Sequence, residues 1–563
     1  VGINQTKKEF KGDFTVVVFP FVKLVRKAPH LVAQEIGDFV QNNSSFVQSF
    51  NVVKGFLNIE CKAAYWVNNL CLMAHNENYG QQKPNGKKVV LEYIGPNTNK
   101  PLHVGHLRNM LLGHAVANIL MACGNEVHKV TIYNDRGTAI CKSQLAWQKF
   151  GNEETPESSG IKGDYFVGKY YVMFADKLEE QVKALIEKGL TEKEAQNQAT
   201  LNKEIAEMLQ KWEENDPKVR AVWQQMNQWV YDGFKQTYKS LGIDYEKAYY
   251  ESAVYESGKN MVIDGLNKGL FQKKEDGSIV VSLADKGLDD KVLLRSDGTS
   301  IYITQDLGIA ELRFQDYKMD TSIYVVGDEQ NYHFQVLKAI LEVMGKPYAK
   351  GIEHLSYGMV DLPEGKMKSR KGNVVDADDL VKEMVRTVEE HIDELGGVEG
   401  LEENALNDLY HTIALGALKF FMLKVHPKNR MLFNPKASIE LVGHTGVFVQ
   451  YSYARTQSIL RKFNNEVPKQ CTANELEETE RQLIVQLYKY NHAIADAGDK
   501  FDPAVITDYA YDLAKLYNRL YAELPILNAN DDQKNLRVLL TYATGNVLKK
   551  AMALLGVDMP NRM

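Results

Sequence analysis

"VVLEYIGPNTNKPLHVGHLRNMLLGHAVANILMA", residues 89–122, is the stretch that decides the fold. It opens as a largely apolar run of strand length, "VVLEYIG", interrupted only by Glu92. Pro96 and Pro101 then hold the connection extended. From Leu107 onward the apolar residues recur at helical spacing, and Gly124 just past the run supplies a stop. A second strand-like run, "EVHKVTIYND", follows at 126–135. Strand, helix and strand in that order form one β-α-β unit, which predicts a parallel sheet covered by helices.

The turn between the first strand and the helix carries candidate chemistry. His103 and His106 fall at the helix N-terminus, three residues apart and therefore on one face of its first turn. Unpaired backbone N–H groups and the positive end of the helix dipole attract anions there. Gly105 between them leaves room for a flat ring against the backbone, and Lys100 adds a full positive charge. At the carboxyl end of a parallel sheet such a turn suits a nucleoside triphosphate. Taken alone, H-x-G-H also reads as a polar helix start. Farther along, "GKMKSRKG" at 365–372 brackets Lys366, Lys368, Arg370 and Lys371 with glycines. Such a loop can fold its lysines over phosphates, and taken alone it also reads as an exposed basic turn. The two stretches together favour the phosphate reading.

Outward from this unit the chain changes character several times. Residues 1–78 read as a small α+β unit, with strand-like "FTVVVFPF" and "VVKGFLNIE" flanking helical "HLVAQEIGDFVQ". The polar run "NENYGQQKPNGKK" then serves as a linker into a unit spanning 85–400. Within that unit, residues 138–250 are helical and heavily charged, a helical insertion between sheet strands. Strand-like runs return at "SIVVSL", "KVLLRS", "SIYIT" and "SIYVVG". Residues 401–563 read almost wholly as helix. "GDYFVGKYY" at 163–171 nearly matches a phosphate-binding P-loop. It carries Tyr170 where Ser or Thr belongs and lies outside a strand-to-helix turn, so it is rejected.

Composition narrows the function classes. At 563 residues the chain exceeds a single core. A hydrophobic fraction of 44% and a charged fraction of 25% describe a globular protein with no membrane partner, and no apolar run reaches the roughly 18 residues of a membrane span. Five cysteines without C-x-x-C spacing predict reduced thiols, a cytoplasmic location and no zinc. A net charge of −6 argues against a generally basic nucleic-acid coat and leaves a local basic groove open.

"HVGH" and "KMKSR" resemble the HIGH and KMSKS signatures of class I aminoacyl-tRNA synthetases. "EYIGPNTNKPLHVGHLRN", "YNDRG", "RSDGTSIYITQDL", "VVGDEQNYHFQ" and "GVFVQYSYARTQSIL" narrow the resemblance to arginyl-tRNA synthetases. It implies a Rossmann-like parallel-sheet catalytic domain, an N-terminal α+β tRNA-binding domain and an all-α C-terminal anticodon-binding domain. It also implies ligation of L-arginine to tRNA(Arg) through an arginyl-adenylate. ATP is then a substrate, with Mg²⁺ bound through its phosphates and no metal held by the protein itself. His103, His106, Lys100 and Lys366 become the catalytic set and supply the positive field around the phosphates. Gly105, Gly327, Glu329, Met367, Lys368 and Lys371 join His103, His106 and Lys366 around ATP. Glu92, Asn97, Tyr302, Asp306 and Gln330 become the arginine contacts, with the two acids flanking a planar cation. Ser369 stands where the signature carries a lysine, and Lys100 or one of Lys368 and Lys371 supplies the missing charge.

For tRNA, Tyr451, Tyr453 and Arg455 suit stacking on unpaired bases and contact with phosphates, with Arg537, Lys549 and Lys550 adding charge. A monomer is expected. Two other functions fit parts of the pattern: an adenylyltransferase acting on a small acceptor, and a tRNA-binding protein without catalysis.

Overall fold

The computed structural model describes residues 2–7, 9–361, 375–394, 400 and 402–563. Five strands form the central sheet, all parallel, in the spatial order Ile352–Tyr357, Thr321–Gly327, Lys88–Glu92, Glu126–Tyr133, Lys247–Tyr250. The first of these in the chain, Lys88–Glu92, lies in the middle. The chain builds outward on one side and then returns to build on the other. The order therefore reverses between Lys88–Glu92 and Thr321–Gly327, and a crevice opens at the carboxyl ends of that pair.

Side-chain alternation sends the strands into two cores. Val89 and Leu91, with Ile323 and Val325, pack with Leu107 and Leu111 of the Val104–Ala122 helix. Val90, with Tyr324 and Val130, packs with Leu307 of the Tyr302–Tyr317 helix and Leu337 of the Asn331–Val343 helix. Helices thus cover both faces of the sheet. Glu92 shares the face of Val90 and looks toward the second group.

Between the Glu126–Tyr133 and Lys247–Tyr250 strands the chain makes helices Thr138–Phe150, Gly163–Glu187, Thr200–Glu213 and Pro217–Leu241, with two shorter ones. The rejected P-loop lies inside one of them. A Cβ on Gly163 would meet the Trp229 carbonyl oxygen at 2.0 Å, and one on Gly168 would meet Pro101 at 2.8 Å. These glycines serve close helix packing.

Several strand expectations are corrected. "FTVVVFPF" is strand only over Phe14–Val17, and with Pro20 in its first turn the chain continues as helix Phe19–Val25. "VVKGFLNIE" is the tip of a hairpin joining Val47–Val53 to Phe56–Cys61, with Lys54 and Gly55 at φ 51° and 83° in its two-residue turn. "SIYIT" holds only an isolated bridge at Ser300 and then starts the Tyr302–Tyr317 helix. "SIVVSL" and "KVLLRS" do form strands, Ile279–Val281 and Lys291–Leu294, paired within a separate antiparallel sheet.

The N-terminal hairpin strands belong to a four-stranded antiparallel sheet. Arg481 of the Glu478–Tyr488 helix ties it to the C-terminal helices, donating to Asp13 at 2.5 Å and to the Cys61 carbonyl at 2.9 Å. Helices Glu403–Leu423, Gly446–Phe463, Ala504–Glu523 and Asp531–Leu554 make up most of the C-terminal module. Their core is continuous with that under the Val104–Ala122 helix.

Candidate active site

His103 caps the Val104–Ala122 helix. Its Nδ1 accepts the Gly105 N–H at 3.2 Å, while the His103 N–H donates to Nδ1 of His106 at 3.1 Å. A backbone N–H can only donate, so both Nδ1 atoms are unprotonated. Each neutral ring then carries its proton on Nε2. The rings lie 3.8 Å apart between centroids. Burial, and then Lys100, pull His103 down to about 4. Burial, and then His103 and Lys100, hold His106 well below its ordinary value. The expectation that these histidines supply positive charge is therefore corrected. At neutral pH they are oriented N–H donors, and Lys100 is the cation beside them. Burial lowers Lys100 as well.

Neighbouring elements hold this turn in place. Ile94 sits in the left-handed region at φ 75°, a costly conformation for a β-branched residue. The Ile94 N–H donates to Oδ1 of Asn109 at 2.7 Å, and Thr131 donates to the Ile94 carbonyl at 2.6 Å. Asn109 also donates to the Val325 carbonyl. One buried amide thus spans the two strands at the crevice. Buried Arg108 donates to the carbonyls of Gly358 and Pro427, fixing the Val104–Ala122 helix to the chain beyond the Ile352–Tyr357 strand.

The second basic stretch contributes its exit. Lys366, Met367, Lys368 and Lys371 lie outside the described residues. Beyond them, the Val375 carbonyl accepts from the Val104 N–H at 3.2 Å, and the Ala377 N–H donates to the Leu102 carbonyl at 2.9 Å. His103 and Asp376 pair as an antiparallel bridge. Burial, and then Asp379, Asp164 and Asp378, push Asp376 up to about 6. The chain therefore leaves this stretch bonded to the histidine turn.

The acids gather on the neighbouring face. Glu92, the last residue of its strand, accepts through Oε2 from Arg313, whose side chain is fully buried between the rings of Tyr249 and Tyr324. Asp306 accepts from Nε2 of His333 at 2.5 Å. The neighbouring Gln305 donates to Glu251 at 3.0 Å. Burial pushes Glu251 up to about 7, and Asp135 and Asp306 add to the rise against the pull of Gln305 and Arg136. Asp306 and Tyr302 lie one turn apart on a helix, where a strand had been expected to precede Asp306. Tyr302 is 80% exposed. Asn97 is exposed and bridges to Asn134. Gly327 ends its strand, so Glu329 and Gln330 fall in a following 3-10 turn, both exposed. The Glu329 carboxylate folds over Gly327, where a Cβ would meet it at 2.4 Å.

Sequence reading missed Glu251, Arg313, His333 and Asn109. Glu251 had a usable signal: it is an acid directly after the strand Lys247–Tyr250, at the same edge of the sheet as Glu92. The others declare themselves only through contacts distant in the chain.

In the C-terminal module a groove of about 480 Å³ is lined by Tyr451, Arg455, Arg461, Lys462, Tyr521 and Arg562, among others. Arg455 lies over the rings of Tyr451 and Tyr521, 4.9 and 4.6 Å from their centroids. Three expectations are corrected here. Tyr453 is 4% exposed and donates its hydroxyl to Asn561, because two residues along a helix turn it away from Tyr451. Arg537 is 2% exposed and pairs with equally buried Glu480 at 2.7 Å. Lys550 donates to the carbonyls of Asn76, Glu77 and Tyr79 and so fastens the linker.

Residues 68–434 match the model of the class I (R) tRNA synthetase catalytic domain, residues 449–563 the DALR anticodon binding domain, and residues 1–61 the arginyl tRNA synthetase N terminal domain. The chain is 51% identical along its full length to the arginine–tRNA ligase of Bacteroides thetaiotaomicron, covering 96% of that protein. It is 46% identical to that of Porphyromonas gingivalis, again over 100% of this chain and 96% of the relative. The fold superposes on Thermus thermophilus arginyl-tRNA synthetase with a TM-score of 0.80 at 24% identity, spanning 100% of this chain and 96% of the other. Against the Plasmodium falciparum enzyme the TM-score is 0.77 at 20% identity, spanning 100% and 94%.

Proposed function

The chain belongs to the arginyl-tRNA synthetase family, and from that premise we propose the roles its residues take in charging arginine onto tRNA(Arg). It is an ATP-dependent arginine–tRNA ligase. The observation that carries the residue-level reading is the shared carboxyl end of one parallel sheet: Glu92 ends the strand that leads into the histidine turn, Glu251 follows the Lys247–Tyr250 strand two places away, and Asp306, on the Tyr302–Tyr317 helix, lies near Glu251.

The reacting carboxylate of arginine must meet the α-phosphate of ATP at the histidine turn. Glu92, on the strand leading into that turn, keeps Oε1 free of Arg313 and takes the neighbouring α-ammonium group, with Asn97 and Gln330. Asp306, Glu251 and the Tyr302 hydroxyl take the guanidinium. A planar fork of five donors can reach all three at once, a geometry that lysine's compact ammonium lacks. The carboxylate oxygen attacks the α-phosphorus, the bond to the β-phosphate oxygen breaks, and pyrophosphate leaves. A terminal ribose hydroxyl of tRNA then attacks the carbonyl carbon and releases AMP.

No enzyme nucleophile is needed. The Nε2–H groups of His103 and His106 donate to phosphate oxygens as charge builds, Lys100 supplies a full charge, and Gly105 lets the nucleotide lie close. Gly327 and Glu329 border the nucleotide, and Lys366, Met367, Lys368 and Lys371 complete its contacts. Mg²⁺ bound through the ATP phosphates would add charge neutralisation. Among the described residues no three ligating side chains gather into a cage for it, and the scheme calls for no zinc. Tyr451, Arg455 and Tyr521 offer stacking surfaces and charge to unpaired tRNA bases. We further propose a cytoplasmic monomer that activates arginine only with tRNA bound. No helix among the described residues is long and apolar enough to cross a membrane.

The test is arginine-dependent exchange of labelled pyrophosphate into ATP, with and without tRNA(Arg). Exchange is expected with arginine and tRNA together. Equal exchange with lysine, or with no amino acid, would sink the assignment of the slot.

A further inference from the structure

Cys71 and Cys471 are separated by 400 residues in the chain, yet their sulfur atoms lie 3.9 Å apart. Cys71 is on the Ala63–Ala74 helix, which follows the N-terminal sheet. Cys471 is in the irregular segment 464–477, which leaves the Gly446–Phe463 helix bearing Tyr451 and Arg455. The approach is built on both sides. His75, just past the Ala63–Ala74 helix, bonds the Pro468 carbonyl at 3.1 Å, and Val467, Ala473 and Leu476 pack their segment against the core. Both cysteines are half-buried and free, as is Cys123, while Cys61 and Cys141 are buried.

We propose that Cys71 and Cys471 form a peroxide-sensitive dithiol that closes to a disulfide between the N-terminal and C-terminal modules. Rotation about the side chains must bring the sulfurs from contact to bonding distance, about 2 Å. The segment holding Cys471 is irregular, so it can give without breaking a helix. Burial, and then Cys71, push the Cys471 thiol up to about 12. Cys71 makes the first attack. The Cys71 thiolate attacks one oxygen of hydrogen peroxide, the O–O bond breaks, and the departing hydroxide takes a proton as water. Cys71 is now a sulfenic acid. The Cys471 sulfur attacks the Cys71 sulfur, the S–O bond breaks, and hydroxyl leaves with the Cys471 proton as a second water. Two thiols give up two electrons to one peroxide. The product joins the helix after the N-terminal sheet to the segment after the candidate tRNA-facing helix, a connection that a thiol reductant reverses.

The test treats the full-length protein with hydrogen peroxide near stoichiometric amounts at neutral pH, then blocks remaining thiols under denaturing conditions. The five cysteines should fall to three free thiols, with a Cys71–Cys471 cross-linked peptide in the non-reducing digest that dithiothreitol removes. Cys71→Ser and Cys471→Ser should each abolish that peptide at an unchanged melting midpoint without peroxide. Cys471→Ser should also leave Cys71 trappable by dimedone. Retention of five thiols, conversion of Cys71 to sulfinic acid without the cross-link, or cross-links only between chains would overturn the proposal. Absence of the dimedone adduct in Cys471→Ser would overturn Cys71 as the attacking residue.

Discussion

The two halves of the site handle charge in opposite ways. At the histidine turn, burial strips charge: His103 and His106 are neutral, each fixed by a backbone N–H on Nδ1 and left with one donor on Nε2. In the acid slot the protein supplies partners of its own: the permanent cation Arg313 donates to Glu92, and His333 bonds Asp306. The difference follows from the ligands proposed for each. A polyanion can be met by preset dipoles, which hold no charge to be desolvated when the site is empty. A guanidinium needs full negative charge, and a buried carboxylate without a counter-ion would protonate instead.

The largest effect should come from removing charge in the slot. Asp306→Ala is expected to lower kcat/KM for arginine by about 10³-fold or more, as expected when a site's specific polar contact is lost, while the KM for ATP stays within a few-fold. An equal rise in both constants in pyrophosphate exchange would erase the distinction between the halves. At the turn, His103→Ala should lower kcat by roughly 10²–10³-fold, the range for one transition-state donor. Arginine KM should barely move.

Arg313→Met should act first on stability. Stranding a buried carboxylate costs about 3–5 kcal/mol, read as a lower urea midpoint, and arginine KM should rise as Glu92 loses its fixed geometry. Pairing it with Glu92→Leu should restore most of the stability without restoring activity. Recovery of both would make Glu92 a structural residue only.

The smallest effects are on pH. Glu251, raised to about 7, is neutral below that value and charged above it. Arginine binding favours the charged form, so arginine KM should rise several-fold as pH falls from 8 to 6, approaching tenfold per unit at most. Glu251→Gln should flatten that slope. The histidine turn should show its own sign in unfolding. The folded-state value of His103 lies below its unfolded value of 6.5, so the unfolded chain binds more protons between about 4 and 6.5. Its contribution is fully present above 6.5 and is lost as pH falls through that window. His103→Asn should reduce the fall in urea midpoint over the same range.

Much of this could be read locally. The strand, the two prolines, the histidines and Gly124 lie within a few dozen residues, and their geometry depends on near neighbours. The β-α-β unit and the helix start that carries the histidines were therefore legible. "SIYIT" was misread because a short apolar run has no period that separates a strand from a buried helix start. "YSYAR" reads as helix and lies in the Gly446–Phe463 helix. The side that Tyr453 shows depends on Asn561 and on the helices packed against it.

Sequence by itself determined where the chain turns from strand to helix and which residue types stand at that turn, because prolines, glycine and apolar spacing act over a few residues. Only the tertiary structure decided which charges are free. Arg313 reaches Glu92 across 221 residues and Arg537 meets Glu480 across 57. A buried ion's state is set by the counter-ion that folding delivers to it, and neither partner's local sequence specifies the other.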